Sequence, residues 1–171
     1  GAVLSPDGRT SYRLAHGRVD VVELDHFRRT HTIPTPEGPG DFWSSYGSAR
    51  GRLAITPDGD TLVAVTFSGL TFIDTSAATP VVPPKLYGQA DVKIGSGLGD
   101  LVIDQAGAFV YTTARDDNTV AVIDVAGQRQ VASIEVGSLP AGLDLSADGQ
   151  RLYVTNDGGA DISVVDVATR R

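Results

Sequence analysis

Cysteine and methionine do not occur in this 171-residue chain. Without cysteine there is no disulfide, no thiolate nucleophile, no cysteine-ligated zinc and no cysteine-attached haem, although the compartment stays open. Without methionine, even at position 1, the opening "GAVLSPDG" is not expected to be a translation start, and no signal peptide can be read. Lysine is down to two residues and arginine is scattered, against 21 acidic residues, so the net charge is −7. A phosphate backbone would meet mostly repulsion, which sets nucleic acid aside as a partner. No apolar run approaches the roughly 20 residues of a membrane span. What remains is 41% hydrophobic and 20% charged, a globular rather than a disordered composition. A chain of this length hides on the order of 70% of its surface on folding, enough for a substantial core.

The residues present are organised by repetition. "LSPDGRTSYRLA" (4–15), "ITPDGDTLVAVT" (55–66), "IDQAGAFVYTTA" (103–114) and "LSADGQRLYVTN" (145–156) align without gaps on Gly8, Gly59, Gly107 and Gly149. Each is followed by an apolar run closed by aspartate, at Asp25, Asp74, Asp124 and Asp166. The runs are short, rich in Val, Ile, Thr and aromatics, and bounded by Gly, Pro, Asp and Asn, which reads as strands joined by tight turns. In Pro-Asp-Gly, proline presets φ, aspartate bonds its own backbone and glycine takes the left-handed position. Nearly continuous apolar runs such as "TVAVIDV" predict sheets covered on both faces. A fourth strand is expected in "RRTHTIPT", "PVVPPKLY" and "QRQVASIEV", and the last copy lacks one.

Four-stranded units of this length are the mark of propeller blades. "PAGLDLSADGQRLYVTNDGGADISVVDVATRR" resembles the YVTN repeat of bacterial and archaeal surface-layer and lactonase-like β-propellers, and "DDNTVAVIDVAGQRQVASIEVG" resembles its second half. The expected fold is therefore an all-β propeller segment of about four antiparallel blades, approximately 1–50, 51–98, 99–140 and 141–171, within a larger ring. The resemblance implies about seven blades in the ring. The missing ones are expected from a longer chain or, alternatively, from a second chain that completes the ring, because uncovered apolar faces and sheet edges drive association.

In propellers of this kind the loops from second to third strand and from outer to next inner strand emerge on one face around the channel. Two such connections are long: 35–52, with Trp43, Tyr46, Arg50 and Arg52, and 87–100, with Asp91 and Lys93. With Arg115 from a neighbouring loop, these aromatics and cations form the candidate ligand-binding set, suited to a sugar, a peptide or an acidic small molecule. The plainer alternative is that Trp43 covers an apolar blade edge. Asp116, Asp117, Asp157 and Asp161 are the candidate ligands for calcium or another divalent ion, although turn chemistry explains them as well. His16, in a channel-side loop, is the candidate acid or base; His26 and His31 fall in a turn and an outer strand. "GSGLGD" (95–100) fails as a dinucleotide loop, because a strand follows where a helix must begin.

The sequence thus supports a noncatalytic propeller scaffold that binds a small ligand or a protein partner through its channel-face loops, with no cofactor required. The resemblance implies an exported protein, at the cell surface, periplasmic or extracellular. It also implies two other readings: part of a propeller enzyme (a lactonase-like hydrolase, a lyase, or the propeller subunit of a quinone-dependent dehydrogenase), or a structural module of a surface layer. The repeat specifies fold sharply and function weakly.

Overall fold

The computed structural model describes residues 1–15, 17–35, 53–66, 69–76, 94 and 97–171. Its strands form four antiparallel sheets. The first contains β1 (Ala2–Leu4), β2 (Thr10–Ala15), β3 (Arg18–Glu23) and β4 (Arg28–Pro34), and the second β5 (Leu53–Ile55), β6 (Thr61–Thr66) and β7 (Gly69–Asp74). The third contains β8 (Leu98–Ile103), β9 (Phe109–Ala114), β10 (Thr119–Asp124) and β11 (Arg129–Glu135), and the fourth β12 (Pro140–Leu145), β13 (Arg151–Asn156) and β14 (Asp161–Asp166). The segment "PVVPPKLY", expected as the outer strand of the second sheet, lies outside the described residues. The chain divides into two compact units, Gly1–Ala90 and Asp91–Arg171.

The four glycine turns are built by one device. Gly8, Gly59, Gly107 and Gly149 all have φ between 69° and 83°, where a side chain would be strained. In three of them a hydroxyl precedes the turn and an aspartate sits two residues on. Ser5, Thr56 and Ser146 each donate to that carboxylate (Asp7, 2.6 Å; Asp58, 2.5 Å; Asp148, 2.6 Å) and accept the backbone N–H that opens the next strand. The third turn uses a substitute: Asp104 stands at the hydroxyl position and its Oδ1 accepts from the N–H groups of Ala108 and Phe109. Each hairpin is thus fixed by side-chain bonds that are local in the chain.

In three of the sheets the turn after the third strand is closed by a strand-end carboxylate. Asp74 Oδ1 accepts from Ser76 N and Oγ, Asp124 Oδ2 from Gly127 N, and Asp166 Oδ1 from Thr169 N and Oγ1. In the first sheet the strand ends at Glu23, which pairs with Thr10 as Asp74 pairs with Thr61. Asp25 therefore lies in the turn, two residues beyond the strand it was expected to close. The mismatch arises because counting apolar residues cannot tell the last paired residue from the first turn residue.

Packing is face to face. In the first unit, Tyr12, Val19, Val21 and Ile33 of the first sheet meet Leu53, Leu62, Ala64 and Ile73 of the second. In the second unit, Tyr111, Val120, Val122 and Ile134 of the third sheet meet Leu143, Leu152, Val154 and Val165 of the fourth. Each such side chain contributes roughly 1.5–3 kcal/mol of transfer free energy. In β6 and β10 residues on both faces are buried, Leu62 to Val65 and Val120 to Ile123, as their unbroken apolar sequence requires.

The hydroxyl–carboxylate turns generate an acid sensitivity. The carboxyls of Asp7, Asp58 and Asp148 lie below their ordinary value of 3.8, chiefly because Ser5, Thr56 and Ser146 donate to them. A group depressed by folding stabilises the fold above its unfolded value, and that contribution is lost as pH falls through the folded value. The triple variant Asp7→Asn, Asp58→Asn, Asp148→Asn, which keeps an acceptor oxygen in each turn, will lose less melting temperature than the parent between about pH 5.5 and about pH 2.5. Equal losses in the two proteins, measured by circular dichroism, would show that these bonds do not couple protonation to folding.

Candidate functional site

In the second unit the 114–118 and 156–161 loops and the chain entering β8 and β12 come together at one end of the two sheets. Arg115 N donates to Gly97 O, and its repeat counterpart Asp157 N donates to Leu139 O, each at 3.1 Å. Gly158 N donates to Ser138 O at 2.9 Å. Residues Arg115–Asp117 form a single 3₁₀ turn, a small departure from the purely extended expectation, ended by Asn118 in the left-handed region. Asn118 Oδ1 accepts from Leu139 N at 2.9 Å, tying the loop of the third sheet to the entry of the fourth. Gly97 and Leu139 occupy the same repeat position and both have positive φ, so the backbone path is copied even where the glycine is not.

Two polar contacts shape this rim. Arg115 NH1 meets Asp157 Oδ2 at 3.1 Å, joining the loops of adjacent sheets. Deeper in, Asn156, 2% exposed, donates through Nδ2 to Asp161 Oδ1 (2.7 Å) and Ser163 Oγ (2.9 Å), and Ser163 Oγ accepts Gly137 N. Asn156 Oδ1 is buried without a partner among the described residues. A side chain at Gly137 would run into the Asn156 amide, so glycine here makes room for the network.

Below the rim, inner strands β8 and β12 lie side by side. Thr113 Oγ1 accepts Asp100 N and donates to Ala141 O, while Asp100 Oδ1 accepts Leu101 N and Oδ2 approaches Leu143 N. Burial raises the Asp100 carboxyl above the ordinary range, and the two N–H groups partly offset this. Neither Asp100 nor the Asn156 network was singled out in the sequence. For Asn156 the signal is the repeat register, which places this carboxamide where the other copies hold the smaller Ala15, Thr66 and Ala114.

Of the candidate residues, Trp43, Tyr46, Arg50, Arg52, Asp91, Lys93 and His16 lie outside the described residues. Arg115 is at the rim. The candidate metal ligands disperse: Asp157 faces Arg115, Asp161 faces Asn156, and Asp116 lies against Gly97. Among the described residues no three acidic or histidine side chains converge. His26 stands in a turn 3.9 Å from Glu23, and His31 sits in β4. "GSGLGD" runs into β8 from Leu98, so no helix receives a phosphate there.

These contacts differ in weight. Asn156→Ala will cost about 1–3 kcal/mol in urea unfolding, because it removes two buried bonds. Arg115→Ala will cost less than about 1 kcal/mol, since its ion pair is solvent-facing. A double-mutant cycle giving Arg115 and Asp157 a larger coupling than the Asn156 bonds would reverse this order.

A model of a family described as "Lactonase, 7-bladed beta-propeller" matches residues 64–171. No curated protein matches the chain. Among solved structures, Kuenenia stuttgartiensis hydrazine synthase is similar with a TM-score of 0.55 and 19% identity, over 98% of this chain and 71% of that one. The β-propeller domain of Myceliophteria thermophila Cps50 (Swd1) is similar with a TM-score of 0.65 and 16% identity, over 97% of this chain and 51% of that one. The chain thus spans about half the length of the latter, and at these identities the likeness is one of fold.

Proposed function

The chain belongs to the seven-bladed β-propeller lactonase family, and from that premise we propose that it acts as a noncatalytic scaffold, binding a small acidic ligand or a protein partner at the loop rim with Arg115 as anchor. The observation that carries this reading is the state of Arg115. Asp157 engages NH1 of the guanidinium at 3.1 Å at the loop rim, and a guanidinium carries five N–H donors suited to a carboxylate or a carbonyl. Preorganised donors on a rigid rim bind with little ordering cost. The aromatics and cations of the long connections, Trp43, Tyr46, Arg50, Arg52, Asp91 and Lys93, supply the rest of the site in this reading. Its setting is a YVTN-type propeller exported to the cell surface.

The ring is completed by other blades or another chain. Tyr153, Ile162 and Val164 form an exposed apolar face on the fourth sheet, whereas their repeat counterparts Tyr111, Val120 and Val122 are buried under that sheet. A further sheet covering Tyr153, Ile162 and Val164 repeats the packing already present once in the unit. The second reading, a lactone-hydrolysing propeller, is favoured by the family's description. It requires an acid or base such as His16, or a divalent ion, near the rim.

Titration of the isotope-labelled protein with gluconate and with gluconolactone separates the readings. Binding is expected to shift the amide resonances of Gly97, Arg115 to Asn118, Leu139 and Asp157, and Arg115→Ala will abolish the shifts while melting within a few degrees of the parent. Lactone opening above the uncatalysed rate would replace the scaffold by the hydrolase. Shifts that avoid these residues would remove Arg115 from the site.

A further inference from the structure

The first sheet has one face packed on the second sheet, and its open face departs from the pattern of the second and fourth sheets. Strand register sets Ser11, Arg13, Arg18, Asp20 and Val22 at the positions held by Leu62, Ala64, Gly69, Thr71 and Ile73 in the second sheet. In the fourth sheet the same positions hold Leu152, Val154, Asp161, Ser163 and Val165. In those two sheets this is the face pressed against the preceding sheet of the unit. Two of its central positions have thus changed from apolar to Ser and Arg, and a third from a hydroxyl to Asp.

The charges are organised. Asp20, 7% exposed, accepts Arg18 Nε at 2.9 Å and lies 3.6 Å from Arg29 NH1 on β4. Arg13 is its cross-strand neighbour on β2. Two guanidiniums therefore engage one carboxylate, Arg13 stands across from it on β2, and Arg13, Arg18 and Arg29 are all exposed. Within a chain of net charge −7 this is a local excess of positive charge. An apolar sheet laid here would bury those guanidiniums without enough partners, a desolvation penalty that its contacts could not offset. A sheet presenting carboxylates opposite Arg13 and Arg29 would meet charge-assisted, bidentate partners instead.

We propose that this face is a docking surface for another propeller sheet whose covering side carries carboxylates, and that its arginines reject apolar sheet faces, including the Tyr153, Ile162 and Val164 face of a second copy. The backbone geometry argues for a sheet, because the same strand positions already seat a sheet twice in this chain. The charge argues for which sheet. Specificity of this kind comes from a penalty on the wrong partner as much as from a gain with the right one. The proposal rests on this packing and not on the ligand reading at Arg115.

The probe is the chain itself with Ile162→Glu and Val164→Glu, both positions being exposed and tolerant of charge. These place carboxylates on the face that would cover Arg13 if two copies stacked head to tail. Analytical ultracentrifugation should show the acidic variant associating above 17.8 kDa in about 20 mM salt and separating in about 0.5 M salt. Adding Arg13→Glu should abolish the association, and Arg129→Glu, at the exposed start of β11 in the third sheet, should not remove it. The parent chain should show no association that Arg13→Glu alters. An acidic variant that stays at the mass of the parent, or association indifferent to Arg13→Glu, overturns the proposal. So does a parent chain that stacks through Arg13 at both salt concentrations, since the face would then accept an apolar partner.

Discussion

A β-sheet that is apolar on both faces cannot stand in water, and every element of this molecule follows from how that demand is met. Val63 and Val65 point one way from β6, Leu62 and Ala64 the other, and all four are buried. The only economical cover for a flat apolar face is another such face about 10 Å away. Sheet therefore stacks on sheet, and a repeat that begins with one two-sided apolar hairpin extends itself. The same demand explains why an uncovered face, such as that of Tyr153, Ile162 and Val164, is a statement about partners and not about solvent.

Stacking alone would leave the sheets free to slide, and polar contacts at the two ends fix them. At one end the hydroxyl–aspartate–glycine turns are self-contained, and Gln105 Nε2 reaches from one turn to Ala147 O of the next at 2.5 Å. At the other end Asn118 holds Leu139, and Arg115 holds Asp157, so loops of adjacent sheets are tied to one another. This second end is where the repeat varies and where Arg115 joins the loops of adjacent sheets. Function in repeat folds concentrates at such ends, because the packed faces are committed to stability and the loops are not.

The open face of the first sheet shows the same economy applied to recognition. Apolar residues there would have accepted any apolar sheet. Arg13, Arg18 and Arg29 around Asp20 exchange general stickiness for a charge condition on the partner, using positions whose backbone geometry the repeat had already fixed. Few residues need to change for a stacking surface to become a selective one, because the strand register delivers each side chain to the same place.

By itself the sequence determined the repeated hairpin, the β-propeller class and most strand limits, because each is a local matter. Period-two side chains, a glycine at positive φ and a carboxylate two residues beyond a hydroxyl act within about ten residues of chain. "RLYVTN" is legible as β13 for that reason, and Asp25 was misplaced by two residues because local pattern does not mark where pairing stops. Only the tertiary structure decided that Asp157 belongs to Arg115, that Asn156 anchors Asp161 and Ser163, and that Asp20 is engaged by Arg18 and Arg29. Those relations join residues on different strands and loops, up to 42 positions apart, and register and stacking bring them within hydrogen-bond reach, which no single stretch of sequence encodes.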